Sequence, residues 1–271
     1  MQATAAKRGA PERFGLAAIL ALYLLLGGLY ALRTPPWQFP DEPAHYNYIR
    51  HVAKEGSLPE LRPGDYPLRY LEEIMARRFH PSLSIEPIRY ESHQPPLYYL
   101  WASLLYRLAE PWGQIGLLRA LRLFSVLLGA AGVWVAYAIV RALTPERPAL
   151  ALGTAAFAAT LPMHVAMTAA INNDVLAELL LALVAWMLVS AGASAWSRRR
   201  TTLLGIVVGL ALLTKLQSYV ALGLALLALA WDAWQAWRAG APGAWRAALA
   251  RAALLLGVAL FLVAPWLWRN V

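Results

Sequence analysis

An all-α polytopic membrane protein, with about seven transmembrane helices and a long first outer loop, is the fold this sequence predicts. Three observations predict it. Hydrophobic residues fill 60% of the 271 positions and charged ones only 14%, whereas a soluble domain sits nearer half and a quarter. Apolar runs recur at 14–32, 119–140, 149–170, 175–193, 202–214, 216–231 and 249–268, and a span needs about 20 residues to cross roughly 30 Å of hydrocarbon. Arginines gather at alternate ends of those runs, which is how cytoplasmic loops are marked. The formal charge of +9 is spread along the runs rather than on one basic face, so it reads as topology and argues against nucleic acid as a partner. With no cysteine in the chain, a disulfide framework, a thiol nucleophile and a zinc-thiolate site are ruled out.

The elements follow in order. Residues 1–13 carry Lys7, Arg8 and Arg13 and are expected as a cytoplasmic tail before the first run. That run is long and lacks a small-residue cleavage site after it, so it is expected to stay as a span. Segment 33–118 then forms the first outer loop. Within it, "EPAHYNYIRHVAKEG" has helical spacing and stops at Gly56, and "PLRYLEEIMARRF" repeats the pattern after Pro67. Both predict short helices lying on the membrane, separated by proline-rich turns. "PPLYYLWASLLYRLA", 95–109, is either a short span or an amphipathic helix in the interface, with its four aromatics expected as an interfacial belt.

Charge decides that choice. If 95–109 does not span, the short inside segments hold Arg141, Arg147, Arg198, Arg199, Arg200, Arg238, Arg246 and Arg251, and the short outside segments only Lys215 and Arg269. The opposite choice would put all eight arginines outside, against the positive-inside bias. The interfacial reading follows. Stretch 202–231 is broken only by Lys215, Gln217 and Ser218 and is too long for one crossing, so two shorter spans meet at a tight turn there. Asp232 and the tryptophans near it belong to the inner interface. Because the chain stops at "APWLWRNV", directly after the last run, residues 1–271 are expected to be one membrane module, truncated before a C-terminal part.

That topology places Asp41, Glu42, Glu91, His93, Arg122, Asn172, Asn173, Asp174 and Lys215 on or just below the outer face. Each has a plainer reading. Asp41 or Glu42 caps the helix starting at Pro43, and Asp174 caps the fourth span. Lys215 and Arg122 snorkel, and His93 is a turn residue. Glu178, one turn beyond Asp174 on the same face, is harder to set aside, because ionisable groups at membrane depth are costly and usually functional. A set of such groups from four segments suits group transfer from a lipid phosphate. A carboxylate at the water boundary takes the proton of an attacking hydroxyl. Cations beneath hold the charge growing on the leaving phosphate. A divalent cation held by Asp41, Glu42 and Asp174 would serve the same end.

The ordered motifs "FPDEPAHY", "ESHQPPLYYLWASLLYRL", "LRLFSVLLGAAGVWVAYAIVRAL", "LPMHVAMTAAINNDVLAELL", "GLALLTKLQSYVAL" and "APWLWRNV" resemble the GT-C superfamily of integral-membrane glycosyltransferases. The likeness is greatest to bacterial members related to protein O-mannosyltransferases and lipid A aminoarabinose transferases. The resemblance implies a seven-span core and an undecaprenyl-phosphate-linked sugar donor used at the periplasmic face of the bacterial inner membrane, with inversion at the anomeric carbon. The acceptor would be a protein, glycan or lipid. By the same resemblance, Asp41 with Glu42 is catalytic, Arg122 and Lys215 bind the donor phosphate, and Asp174, with Glu91 and His93, positions acceptor or metal, Mg or Mn. The surface-helix motif departs from the family in reading His-Gln-Pro-Pro. The rival readings are a lipid or solute transporter and a non-catalytic membrane assembly factor.

Overall fold

A computed structural model describes residues 2–190 and 196–270. Every regular element among them is helical: α1 (Gln2–Arg33), α2 (Glu42–Glu55), α3 (Leu68–Ala76), α4 (Leu97–Ala109), α5 (Gly113–Leu143), α6 (Pro148–Thr160), α7 (Pro162–Thr168), α8 (Asp174–Val189), α9 (Arg198–Leu212), α10 (Tyr219–Arg238) and α11 (Ala244–Arg269). Helix α1 runs through the expected tail. The end of the fourth expected run, 191–193, lies outside the described residues.

Side-chain contacts give the helices their directions. Glu12 meets Arg141 at 2.5 Å, while at the other end of the same pair Arg122 reaches the Ala31 carbonyl at 3.1 Å, so α1 and α5 are antiparallel. Arg200 bonds the Met187 carbonyl and Asn173 the Thr214 carbonyl at 2.8 Å, making α8 and α9 antiparallel. Asp232 and Arg251, 3.1 Å apart across the short turn 239–243, make α10 and α11 antiparallel too. Helices α9 and α11 are parallel and very close. A Cβ on Gly205 would stand 3.0 Å from the Leu255 carbonyl oxygen, and one on Gly209 3.2 Å from Ala259 Cα. Small residues four apart permit that approach where no hydrophobic effect separates helix from lipid. The bundle therefore has a loop end, carrying α2 to α4, and an arginine-rich end.

By length and composition four stretches are apolar enough to cross a membrane: Gly9–Arg33, Leu97–Leu143, Leu216–Arg238 and Ala244–Arg269. The pair α6 and α7 makes a fifth if taken as one bent span. Helices α8 and α9, of 16 and 15 residues, fall short of that measure. Stretch 97–143 is not one rod. Tyr98 Oη and Ser125 Oγ are 3.0 Å apart although 27 residues separate them, about 40 Å along a continuous helix. The chain folds back at Gly113, φ 70°, and α4 lies against α5.

Two expectations are corrected. Run 149–170 is not one straight helix but breaks between α6 and α7 with a 65° bend. Pro162 offers no N–H and pushes Leu161 into extended backbone, φ −69° and ψ 111°. The aromatics of 95–109 are not a belt either. Tyr98, Tyr99 and Tyr106 are buried in the core and only Trp101 is substantially exposed. The Tyr99 ring stacks on Tyr48 of α2 with centroids 3.7 Å apart and planes 3° apart, so the exposed face of α4 is Leu100, Trp101, Leu104 and Leu108.

Candidate active site at the loop end

Between α1 and α2 the chain reads "TPPWQFPDEP". Its four prolines deny the segment backbone donors, so it turns sharply and enters α2 with Pro43 in the first turn. Asp41 precedes the helix in the left-handed region, φ 58° and ψ 1°, a conformation Asp tolerates better than most residues. Its carboxylate makes no cap bond. Instead Oδ1 accepts from the Tyr90 hydroxyl at 2.7 Å, and the residue is exposed. Burial, then the Asp41 carboxylate, pushes the Tyr90 phenol above its ordinary pKa, so the proton stays on the tyrosine.

Glu42, the adjacent acid, points the other way and is fully buried. Its Oε1 accepts from Arg122 Nε at 2.7 Å. Its Oε2 accepts from Arg122 Nη2 at 2.7 Å and from the Trp37 N–H at 3.0 Å. Arg122, 1% exposed, also donates from Nη1 to the carbonyls of Thr34 (2.7 Å) and Ala31 (3.1 Å), and from Nη2 to that of Pro35 (3.0 Å). A guanidinium has five N–H donors, and all five are engaged. The ring of Phe39 covers it 4.7 Å away. The expected phosphate-binding role of Arg122 and direct chemistry by Glu42 thus meet a physical obstacle. Neither has a free polar atom, and together they pin the end of α1 to α2 and α5.

A chain of amides joins this loop to the other junctions. Gln94 donates from Nε2 to Glu91 Oε2 at 2.8 Å and accepts at Oε1 from Asn173 Nδ2 at 3.3 Å, while the same Nδ2 reaches the Thr214 carbonyl at 2.8 Å. The Leu97 N–H bonds the Leu213 carbonyl at 2.9 Å. Asp174 is therefore held beside Lys215, and the two form an ion pair. Asn172, not Asp174, serves the start of α8, its Oδ1 accepting from the Val175 N–H at 3.2 Å. Two buried polar atoms here, Asn173 Oδ1 and Ser218 Oγ, have no hydrogen-bond partner among the described residues. His93 is exposed, with Nδ1 2.8 Å from the Tyr90 carbonyl, and behaves as a turn residue.

His45 marks where the charges converge. It is buried, with Nδ1 2.8 Å from the Tyr99 hydroxyl. Burial lowers its pKa, Glu91, Asp41 and Asp174 pull it back up, and Lys215 acts with burial. Four of the groups expected at the site thus bear on this one imidazole. Sequence reasoning missed His45, Tyr90 and Gln94; Gln94 had a signal in its own motif, "HQPP", and the other two read as ordinary helix and turn residues. The carboxylates do not gather into one cation site. Glu42 is occupied by Arg122, and among the described residues no three of His, Asp and Glu stand close enough to hold a metal ion. On the far side of α2 a cleft of about 410 Å³ is lined by Asn47, Arg50, His51, Arg62, Glu86, Arg89 and Ser92, among others.

The comparison with known families bears on the same segments. The family model described as dolichyl-phosphate-mannose-protein mannosyltransferase matches residues 93–268, from the His93 turn to the end of α11, and leaves Asp41 and Glu42 ahead of the matched region. Among curated proteins and solved structures no significant match is found. The matched region exceeds half of the chain and carries Arg122, Asp174 and Lys215, of which Arg122 lies in a stretch apolar enough to span a membrane. The chain belongs to the dolichyl-phosphate-mannose-protein mannosyltransferase family, membrane glycosyltransferases of the GT-C type that use a lipid-linked sugar donor.

Proposed function

We propose that this chain transfers a sugar from an undecaprenyl-phosphate-linked donor to a protein, glycan or lipid acceptor at the outer face of a bacterial inner membrane, with inversion at the anomeric carbon. In this reading α1, α5, α6 with α7, α8, α9, α10 and α11 are seven spans, with the N-terminus inside. The antiparallel pairs α1 with α5, α8 with α9 and α10 with α11 support it, as do Arg141, Arg147, Arg198, Arg199, Arg200, Arg238, Arg246 and Arg251 at the end away from the loop. Asp41 is the base. One carboxylate oxygen is held by Tyr90 while the other takes the proton of the acceptor hydroxyl as its oxygen bonds to the anomeric carbon. The bond from that carbon to the phosphate oxygen breaks, and the electron pair leaves with the phosphate. Lys215, released from Asp174, holds the developing charge. Arg122 and Glu42 set the geometry of the Asp41 turn rather than touching substrate, and Glu91 supports it through Gln94 and Asn173.

The observation that carries this reading is the division of labour between two adjacent acids. Glu42 is buried and saturated, whereas Asp41 is exposed, in left-handed backbone, with one partner. Strain of this kind collects at functional sites. The cleft behind α2 offers an acceptor route, since its wall at Arg89 and Ser92 is the turn that delivers Tyr90 to Asp41. The test is transfer from lipid-linked sugar donor by membranes carrying Asp41→Asn, with release of free polyprenyl phosphate as second readout. The expected result is a loss of about 100-fold or more in both at unchanged protein level. Normal release by that variant would refute the assignment, and no release by the wild-type chain would favour a transporter or an assembly factor.

A further inference from the structure

With Arg122 fully engaged, the anion of a lipid-linked donor needs other cations at this end of the bundle. Lys215 is one. A second stands one helical turn deeper, where His164 of α7 places Nε2 3.2 Å from Glu178 Oε1 and Nδ1 2.9 Å from the Ala158 carbonyl. A carbonyl only accepts, so Nδ1 carries a hydrogen. The contact between Nε2 and the carboxylate then also requires a proton between the two atoms. The pair is an imidazolium with a carboxylate, or its proton-shifted neutral equivalent, in an otherwise apolar stretch.

This is not a sealed core pair. The Glu178 side chain is 53% exposed and that of His164 16%, beside the exposed apolar residues Leu161 and Met163. Ionisable groups at membrane depth are costly, and the pair with His164 leaves half of this carboxylate uncovered. The helix that carries the ring is also held in place. Thr168 donates to the His164 carbonyl at 2.8 Å and its hydroxyl lies 2.7 Å from that of Tyr23, tying α7 to α1. On α8, Asp174 and Glu178 are four residues apart and share a face, with Cβ atoms about 5–6 Å apart. Each holds a cation from another element: Lys215 from the turn before α10, His164 from α7.

We infer that His164 is a second ligand for the donor's phosphate, which enters from the outer leaflet over the bend between α6 and α7. The phosphate replaces Glu178 at Nε2 as it replaces Asp174 at Lys215. The assignment rests on the lipid-donor reading above. It gives the leaving phosphate, which gains negative charge as the sugar departs, two cations in place of one.

The test uses the purified 271-residue chain in nanodiscs, titrated with undecaprenyl phosphate, phosphatidic acid or inorganic phosphate in separate arms and followed by thermal stabilisation. Stabilisation is expected from undecaprenyl phosphate alone, with affinity falling about tenfold in His164→Gln and restored in His164→Arg. Equal affinity in His164→Gln and wild type overturns the role of His164 while leaving the donor reading intact. An equal response to phosphatidic acid or inorganic phosphate, or none to undecaprenyl phosphate, overturns the donor reading with it. Because substitutions in the bend can disturb folding, a photoreactive polyprenyl phosphate is also cross-linked to the unaltered chain. Label within 157–178 supports the site, and label confined to other segments overturns it.

Discussion

Replacing Glu42 by Gln puts an amide against the guanidinium of Arg122 and leaves a buried cation with only carbonyl partners. In the wild-type protein that cation, 1% exposed against 0% for its acid, has two charge-assisted bonds of 2.7 Å to Glu42 and three to backbone carbonyls. Gln keeps the shape, loses the charge and supplies one acceptor where there were two. Breaking one partner of a buried pair costs about 3–5 kcal/mol, because the remaining charge has no water to retreat to. Arg122→Met costs a similar amount by the reverse route, since Glu42 then keeps only the Trp37 N–H and three carbonyls lose their donor. The double variant Glu42→Gln with Arg122→Met removes both charges and should be no less stable than the worse single change, a coupling of about 3 kcal/mol or more. Unfolding in mixed micelles of rising denaturing-detergent fraction measures all three. Additive losses would refute the pin, and so would a Glu42→Gln protein of wild-type stability that no longer transfers sugar. That last result would place Glu42 in the chemistry itself.

Lys215→Met should leave the unfolding midpoint within about 1 kcal/mol of wild type, since a half-exposed ion pair contributes little. Transfer should fall at least tenfold, and a stability loss matching the activity loss would remove Lys215 from the donor site. Burial holds His45 below the ordinary imidazole value of 6.5, so the unfolded chain binds its proton more tightly than the folded one. The stability from the neutral ring is therefore complete above that value and is lost as pH falls through the lower folded pKa. Melting curves from pH 7.5 to 5 should fall more steeply for wild type than for His45→Gln, and equal slopes would refute this. Gly129→Ala brings a methyl against the Tyr23 hydroxyl and within 2.9 Å of Thr168 Cβ, an overpacking of about 1–3 kcal/mol. An unchanged melting point would show that α1, α5 and α7 are looser than this.

Much of the fold was legible because it depends on local chemistry. Gly56 ends α2 in left-handed backbone, φ 67°, a conformation glycine adopts freely, and Pro67 precedes α3 as its pattern implied. Lys215 and its polar neighbours did break stretch 202–231, between α9 and α10. The bend at Pro162 was missed for an equally local reason. Proline is as acceptable at a helix start as it is disruptive within one, and the flanking apolar residues carry no period that separates the cases. The inward face of α4 was readable in principle, since Tyr98, Tyr99, Ala102 and Tyr106 lie three to four residues apart along one side. Aromatic content favours the interface and spacing favours the core, and in α4 spacing prevails.

The sequence by itself determined that this is a helical membrane protein with a run of ionisable residues at one end of its spans, because desolvation penalties sort residue types by depth wherever they fall in the chain. Which charge answers which was decided only in three dimensions. Arg122 and Glu42 are 80 residues apart, and nothing in either segment says that this acid, rather than its neighbour Asp41, would be withdrawn into the protein. A side chain's type sets what it demands from its surroundings. Only packing decides whether another part of the chain meets that demand or leaves it for a substrate.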